Sequence, residues 1–128
     1  MATEISVRTQ RIRLDDDGIV RAELLPHIDV DHADAVEAVG AIATLSGGKR
    51  VPVLVDLRRV KSMSREARTY FSGVETSRTE SAAALLVGSP LTRAIGNFFL
   101  GLNRPCFPTR LFTSEEDALA WLHGFRDG

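Results

Sequence analysis

The chain has 128 residues, with 16 Lys and Arg against 17 Asp and Glu, three His, a single Cys and 44% apolar residues; one globular domain over residues 1–128 is expected, large enough to hold a core without a disulfide or a metal. A formal charge of −1 excludes the Lys and Arg excess of a dedicated nucleic-acid binder, and the lone Cys106 excludes an internal disulfide. No apolar run reaches the roughly 18 residues of a membrane span, and the opening MATEISVRTQRIRLDDDG lacks the apolar stretch of a signal peptide, so a reduced cytoplasmic setting with no membrane partner is expected.

Ile5, Val7 and Thr9 alternate with polar residues, as a half-buried strand requires, and the phase then shifts to Ile12 and Leu14, which predicts a bulge or kink near Gln10 within one strand. Asp15-Asp16-Asp17-Gly18 follows, with Gly18 suited to the positive φ of a tight hairpin, and Val20, Ala22 and Leu24 resume the alternation in a second, antiparallel strand. Asp31 can cap a helix whose apolar stripe is Ala35, Val36, Val39, Ile42 and Ala43, ended by Gly47-Gly48. The run VPVLVDL at 51–57 hardly alternates and fits a central strand covered on both faces. Ser64 offers the N-cap of a helix carrying Ala67, Tyr70, Phe71 and Val74, and the apolar run Ala82 to Val87 predicts another buried strand. Ser89-Pro90 opens a helix with Ala94, Ile95, Phe98, Phe99 and Leu102 on its apolar face. Phe107, Thr109 and Leu111 alternate beside Pro105 and Pro108, which confines that strand to a sheet edge. Thr113-Ser-Glu-Glu116 reads as a capping box for a last helix with Ala118, Leu119, Trp121, Leu122 and Phe125 inward.

The order is ββαβαβαβα, an α/β fold with a single mixed five-stranded sheet that begins in an antiparallel hairpin and continues as a βα superhelix. Right-handed crossovers gather the loops that follow the second to fifth predicted strands at one end of the sheet, where α/β proteins bind their ligands. The hairpin start, the succession of βα units and a strand ending in Asp56 before a Ser-containing loop resemble the sulfate-transporter and anti-sigma-factor-antagonist (STAS) fold family. More narrowly, the chain is similar to small bacterial proteins classed as STAS-like. In the signalling members the motif reads Asp-Leu-x-x-Val-x-x-Ile-Asp-Ser-Ser-Gly, and the serine after the second Asp is phosphorylated by a partner kinase. Here Asp56, Leu57 and Val60 match, whereas Ser64 stands for the second Asp, Arg65 for the modified serine and Ala67 for the glycine.

Arg58, Arg59, Lys61 and Arg65 surround Ser62 and Ser64 in the loop after the central strand, and Ser89, Thr92 and Arg93 open the neighbouring helix with similar chemistry. Cations beside helix N-termini favour an anion, either an acidic protein partner or a small phosphate-bearing ligand; the plain alternative is that Ser64 and Ser89 only cap helices. His27, Asp29, Asp31, His32 and Asp34 form the only stretch with metal-ligand chemistry, yet acids at the start of a helix are explained by capping alone, so no metal is expected. Asp56, Ser89 and Arg110 at strand ends resemble a phospho-acceptor receiver, but the acids at 15–17 lie in a hairpin and the last strand has no lysine, which leaves Asp56 to bond the amides of the following loop. Neither Cys106 nor His123 sits in a nucleophile signature; Cys106 reads as a small core residue, and Phe98, Phe99 and Trp121 as core aromatics. No catalytic residue and no cofactor is expected. The reading is a non-enzymatic binding or regulatory module acting through the carboxyl ends of the parallel strands, with a small anionic-ligand carrier as the alternative, distinguished by a concave pocket of several hundred cubic ångströms. A homodimer is expected from an apolar sheet face or edge left open.

Overall fold

The computed structural model describes residues 3–101 and 105–126, excluding the side chains of residues 98–101. The run VPVLVD forms β5 (Val51–Asp56), which pairs in parallel with β3 (Val20–Leu24) on one side and with β7 (Glu80–Leu86) on the other. Antiparallel β2 (Gln10–Leu14) and β1 (Glu4–Ser6) extend the sheet beyond β3, and parallel β8 (Thr109–Phe112) closes the far edge. The six-stranded sheet therefore runs β1-β2-β3-β5-β7-β8.

The sixth strand replaces the expected bulge. Val7 N–H donates to the Gln10 carbonyl at 3.0 Å, the chain reverses, and Ile5 pairs with Ile12 across a hairpin. A phase shift in the alternation marked a reversal here. The next hairpin is as read: Gly18 has φ of 81°, and the Asp17 carboxylate accepts from the Ile19 N–H at 3.0 Å.

Alternation sorts the sheet into two unlike faces. Ile12, Val20, Ala22, Val53 and Leu85 point to one face, where α1 (His32–Ser46), α2 (Arg65–Ser72) and Ile95 of α4 (Pro90–Gly101) cover them. Leu54, Ala82, Ala84 and Leu86 point to the other, where Ala118 and Leu122 of α5 (Glu115–Leu122) lie fully buried against them. α5 covers only that half. Over β1 to β3 the same face carries Glu4, Arg11, Arg13, Arg21 and Glu23. The apolar open face on which a homodimer was expected is thus a charged one. The Pro-flanked β8 does lie at an edge.

Helix ends follow local hydrogen bonding. Asp31 and Asp34 form a reciprocal capping box at 3.0 Å in each direction, and Gly47, with φ of 64°, ends α1. The buried stripe of α1 is Ala35, Ala38, Val39, Ala41 and Ile42, so Val36, 41% exposed, does not belong to it. α2 stops at Gly73, whose extended backbone separates it from the short α3 (Val74–Ser77), while Thr76 Oγ1 donates to the Tyr70 carbonyl at 2.6 Å. That break leaves Val74 57% exposed, against the expected inward position. Ala94 is exposed as well. Ser114, not Thr113, caps α5, its Oγ accepting from the Asp117 N–H at 3.3 Å. Cys106 is exposed instead of buried, its N–H donating to the Ser72 carbonyl at 3.1 Å. The expected core placement of Phe98, Phe99 and Leu102 lies outside the described residues. Among the described residues no helix is long and apolar enough to cross a membrane.

The α5 face yields a test of this packing. Leu122→Ala removes a fully buried side chain and should cost about 2–5 kcal/mol, whereas Leu91→Ala, at a 52% exposed position, should stay within about 0.5 kcal/mol; urea melts of both variants check the contrast.

Candidate functional site

The loop after β5 is not a free solvated segment. A second, two-stranded parallel ladder pairs β4 (Asp29–Val30) with β6 (Ser62–Met63), and Lys61 and Ser64 N–H groups donate to the Ile28 and Val30 carbonyls, each at 2.9 Å. His27, which has φ of 57°, donates its N–H to the Arg59 carbonyl at 2.9 Å. Leu57, Val60 and Met63 anchor the ladder in the core on the helical side. The ladder holds the basic residues at fixed positions, and those positions diverge.

Arg58 and Arg59 line a cleft of about 540 Å³ at the carboxyl ends of β3 and β5, together with Arg11, Glu23, Asp56 and Gly88. Asp56 accepts from the Arg58 backbone N–H at 3.0 Å, as the receiver-like reading left it to do, and also from the Arg58 guanidinium at 3.0 and 2.9 Å. This hydrogen bonding raises the Arg58 pKa and spends its charge locally. Gly88 belongs in the cleft wall because a Cβ there would come within 3.2 Å of Arg58 Cγ. Arg59 and Arg11 are exposed and, among the described residues, make no side-chain hydrogen bond or ion pair. The cleft continues into a smaller groove of about 120 Å³ over the open sheet face. There Arg21 is held by Asp15 at 2.8 Å and Asp17 at 2.9 Å, and Arg13 by Asp15 at 2.8 Å. The hydrogen bond from Arg21 lowers the Asp17 pKa.

The remaining basic residues face elsewhere, so the single cluster expected from the sequence is divided. Lys61 lies 4.0 Å from Asp29, whose carboxylate also accepts from Ser62 Oγ. Ser64 Oγ caps α2 by accepting from the Ala67 N–H at 3.1 Å, and Arg65 borders a separate hollow with His32 and Tyr70, whose rings meet edge to face. Ser89 accepts from the Thr92 N–H at 3.1 Å while Thr92 Oγ1 accepts from the Gly88 and Ser89 N–H groups, each at 3.0 Å, and Arg93 borders a third hollow beside Thr113 and Asp117. Arg110 stacks over the Phe112 ring at 5.2 Å. Arg11 and Glu23 were missed by the sequence reading. They are outward residues of β2 and β3, directly paired in register, and only the sheet order carries them to the end of β5.

The acids at 29–34 are absorbed by the fold. Asp34 is buried and receives the Arg8 guanidinium at 2.7 and 2.5 Å in addition to its capping role. The Arg8 hydrogen bonds, foremost, hold its carboxyl down at about 2.

The sheet with three helices on one face and α5 on the other is a STAS-like fold. It is similar to the crystal structure of an anti-sigma factor antagonist from Mycobacterium paratuberculosis, with a TM-score of 0.63, 20% identity and coverage of 92% of this chain and 98% of that one. An uncharacterized protein of the DUF3478 family with a SpoIIAA-like fold, from Shewanella loihica PV-4, matches with a TM-score of 0.61 and 16% identity over the same shares. A protein with unknown function from Arthrobacter sp. FB24 is 39% identical over 87% of this chain and 96% of its own, with a TM-score of 0.35. The chain belongs to the family described as domain of unknown function DUF7793, whose model matches residues 12–126. No curated protein matches it.

Two predictions concern these residues as structure. Because the folded Asp34 titrates near 2, below its ordinary 3.8, its stabilisation is complete above the ordinary value and is lost as pH falls through the folded one. Asp34→Asn should therefore cost about 2 kcal/mol at neutral pH, and the gap to wild type should close in acid melts approaching pH ~1. Replacing Arg58, Arg59 and Lys61 together with Ala should change stability by less than about 1 kcal/mol, whereas Ser64→Ala should cost about 0.5–2 kcal/mol as a lost cap, both read from urea midpoints.

Proposed function

We propose that the chain acts as one non-enzymatic, cytoplasmic binding or regulatory domain whose working surface is the cleft at the carboxyl ends of β3 and β5, and that this cleft takes an acidic segment of a partner protein. The observation that supports this most is the pair Arg59 and Arg11: both border the cleft, and among the described residues neither makes a side-chain hydrogen bond or ion pair. Arg58 is already bound to Asp56 and contributes shape more than charge. Of the other residues, Ser64 and Ser89 serve as helix caps, and Ser62, Arg65 and Arg93 lie outside the cleft. The likeness in fold to an anti-sigma factor antagonist is consistent with a protein partner. A second reading, a small anionic ligand in the same cleft, draws support from its volume of about 540 Å³, which falls within the range of small-molecule sites.

Titration with a Glu-rich peptide and, separately, with inorganic pyrophosphate tests both. The peptide should bind, lose about tenfold in affinity in Arg59→Ala and weaken steadily as salt rises through the screening range. Saturable pyrophosphate binding of the same Arg59 dependence, without peptide binding, would favour the second reading. Affinities unchanged by Arg59→Ala would remove this cleft as the site.

A further inference from the structure

The sheet surface beside the Arg59 cleft has the opposite electrical sense. Cleft and groove share Arg11, Glu23 and Asp56, which lie directly abreast on β2, β3 and β5. The next outward row, two residues away along the strands, is Glu4, Arg13 and Arg21 on β1, β2 and β3. Such rows stand about 7 Å apart.

Ion pairing decides which of these charges an incoming group would meet. Arg13 and Arg21 are held by the hairpin acids Asp15 and Asp17, and Arg58 takes both oxygens of Asp56. Three carboxylates of the groove are left over. Glu4, Glu23 and Glu115 are exposed and, among the described residues, make no side-chain hydrogen bond or ion pair. Their charge reaches the bound cations around them. Arg58, whose pKa is raised chiefly by its hydrogen bonds to Asp56, also lies in the field of Glu115 and Glu23, and Arg21, raised chiefly by Asp17, lies in that of Glu115. The groove is thus acidic toward an incoming group, while the adjoining cleft is basic through Arg59 and Arg11. A segment carrying only acids suits the cleft and is repelled where it runs on over the sheet.

We propose that the open face of β1 to β3 continues the docking surface, and that its occupant is a partner segment of alternating charge, whose acid meets Arg59 and Arg11 and whose basic residue meets Glu23 and Glu115. The proposal rests on the reading of the cleft as the seat of an acidic segment, and adds the basic residue to it. The groove, of about 120 Å³, offers several times the space of one water, enough for one unbranched cationic side chain. Ion pairs at so wet a surface contribute little individually, so Glu23 acts by discriminating among segments and not by supplying the bulk of the affinity.

Two peptides of equal length and equal Glu content, one alternating Glu with Lys and the other Glu with Gln, are titrated into the whole chain. Wild type should bind the Glu-Lys peptide about fivefold more tightly. Glu23→Gln should cancel most of that preference and Glu23→Lys should reverse it. Glu66→Gln, which removes the same charge from an exposed position on α2 across the sheet, should leave it in place. A wild-type preference for the Glu-Gln peptide overturns the proposal, as does a preference that Glu23→Gln leaves intact or that Glu66→Gln removes as readily. Where both peptides bind with equal strength and both lose affinity in Arg59→Ala, this proposal falls while the cleft keeps its acidic segment; where neither binds, the cleft reading falls and this one with it. A dimer in sedimentation that Glu23→Lys dissolves gives the face to a second copy of the chain, which also overturns the proposal.

Discussion

Burial of β5 on both faces is the constraint on which the remaining structure depends. Val53 and Leu54 point in opposite directions and are both buried, so helices must cover the strand from both sides. Among the described residues, with α1, α2 and α4 on one side and α5 with the short turn after it on the other, half of the second face has no cover and can be populated only by residues that tolerate water. Arg11, Arg13, Arg21 and Glu23 fill that half. Asp56 sits at the end of β5, where buried apolar floor gives way to this charged surface, and the candidate cleft forms at that boundary.

Within the cleft, counting cations misjudges its chemistry. Arg13, Arg21 and Arg58 are each held by an aspartate within 3 Å, and an arginine so held presents little free charge to an incoming group. Arg59 and Arg11 differ because, among the described residues, neither makes a side-chain hydrogen bond or ion pair, and Asp56, the acid at the end of β5, is already engaged with Arg58. Selectivity for an anion thus rests on which carboxylates the fold has removed from competition, as well as on where it places guanidinium groups.

Most of the fold was legible because it rests on local chemistry. Asp31, Gly47, Ser64 and Ser89 are caps whose partners lie within a turn or so, and the unbroken run of β5 reports its own burial. The β1–β2 reversal was not legible, since alternation interrupted by a turn and alternation interrupted by a bulge look alike over so few residues. The site was only half legible for a different reason. Arg58, Arg59, Lys61 and Arg65 are neighbours in sequence, yet the β4–β6 ladder turns them toward different surfaces. Arg11 and Glu23 join Arg59 through strand order, which no local pattern records. Likewise, the run ESAAALL gives no hint that Ser81 is passed over in the pairing and that Glu80 thereby changes face.

The sheet is laid down in the same order as the chain, apart from the small ladder set aside from it. Each strand therefore bonds to one that precedes it closely in sequence, beginning with two hairpins, and no strand must be threaded between two already in place. For a polypeptide emerging from the ribosome, every new strand meets a ready edge made by its predecessor, so growth of the sheet can keep pace with synthesis. The last strand to arrive, β8, follows Pro108, which has no N–H to offer. Assembly by accretion thus ends at an edge poorly suited to accept another strand.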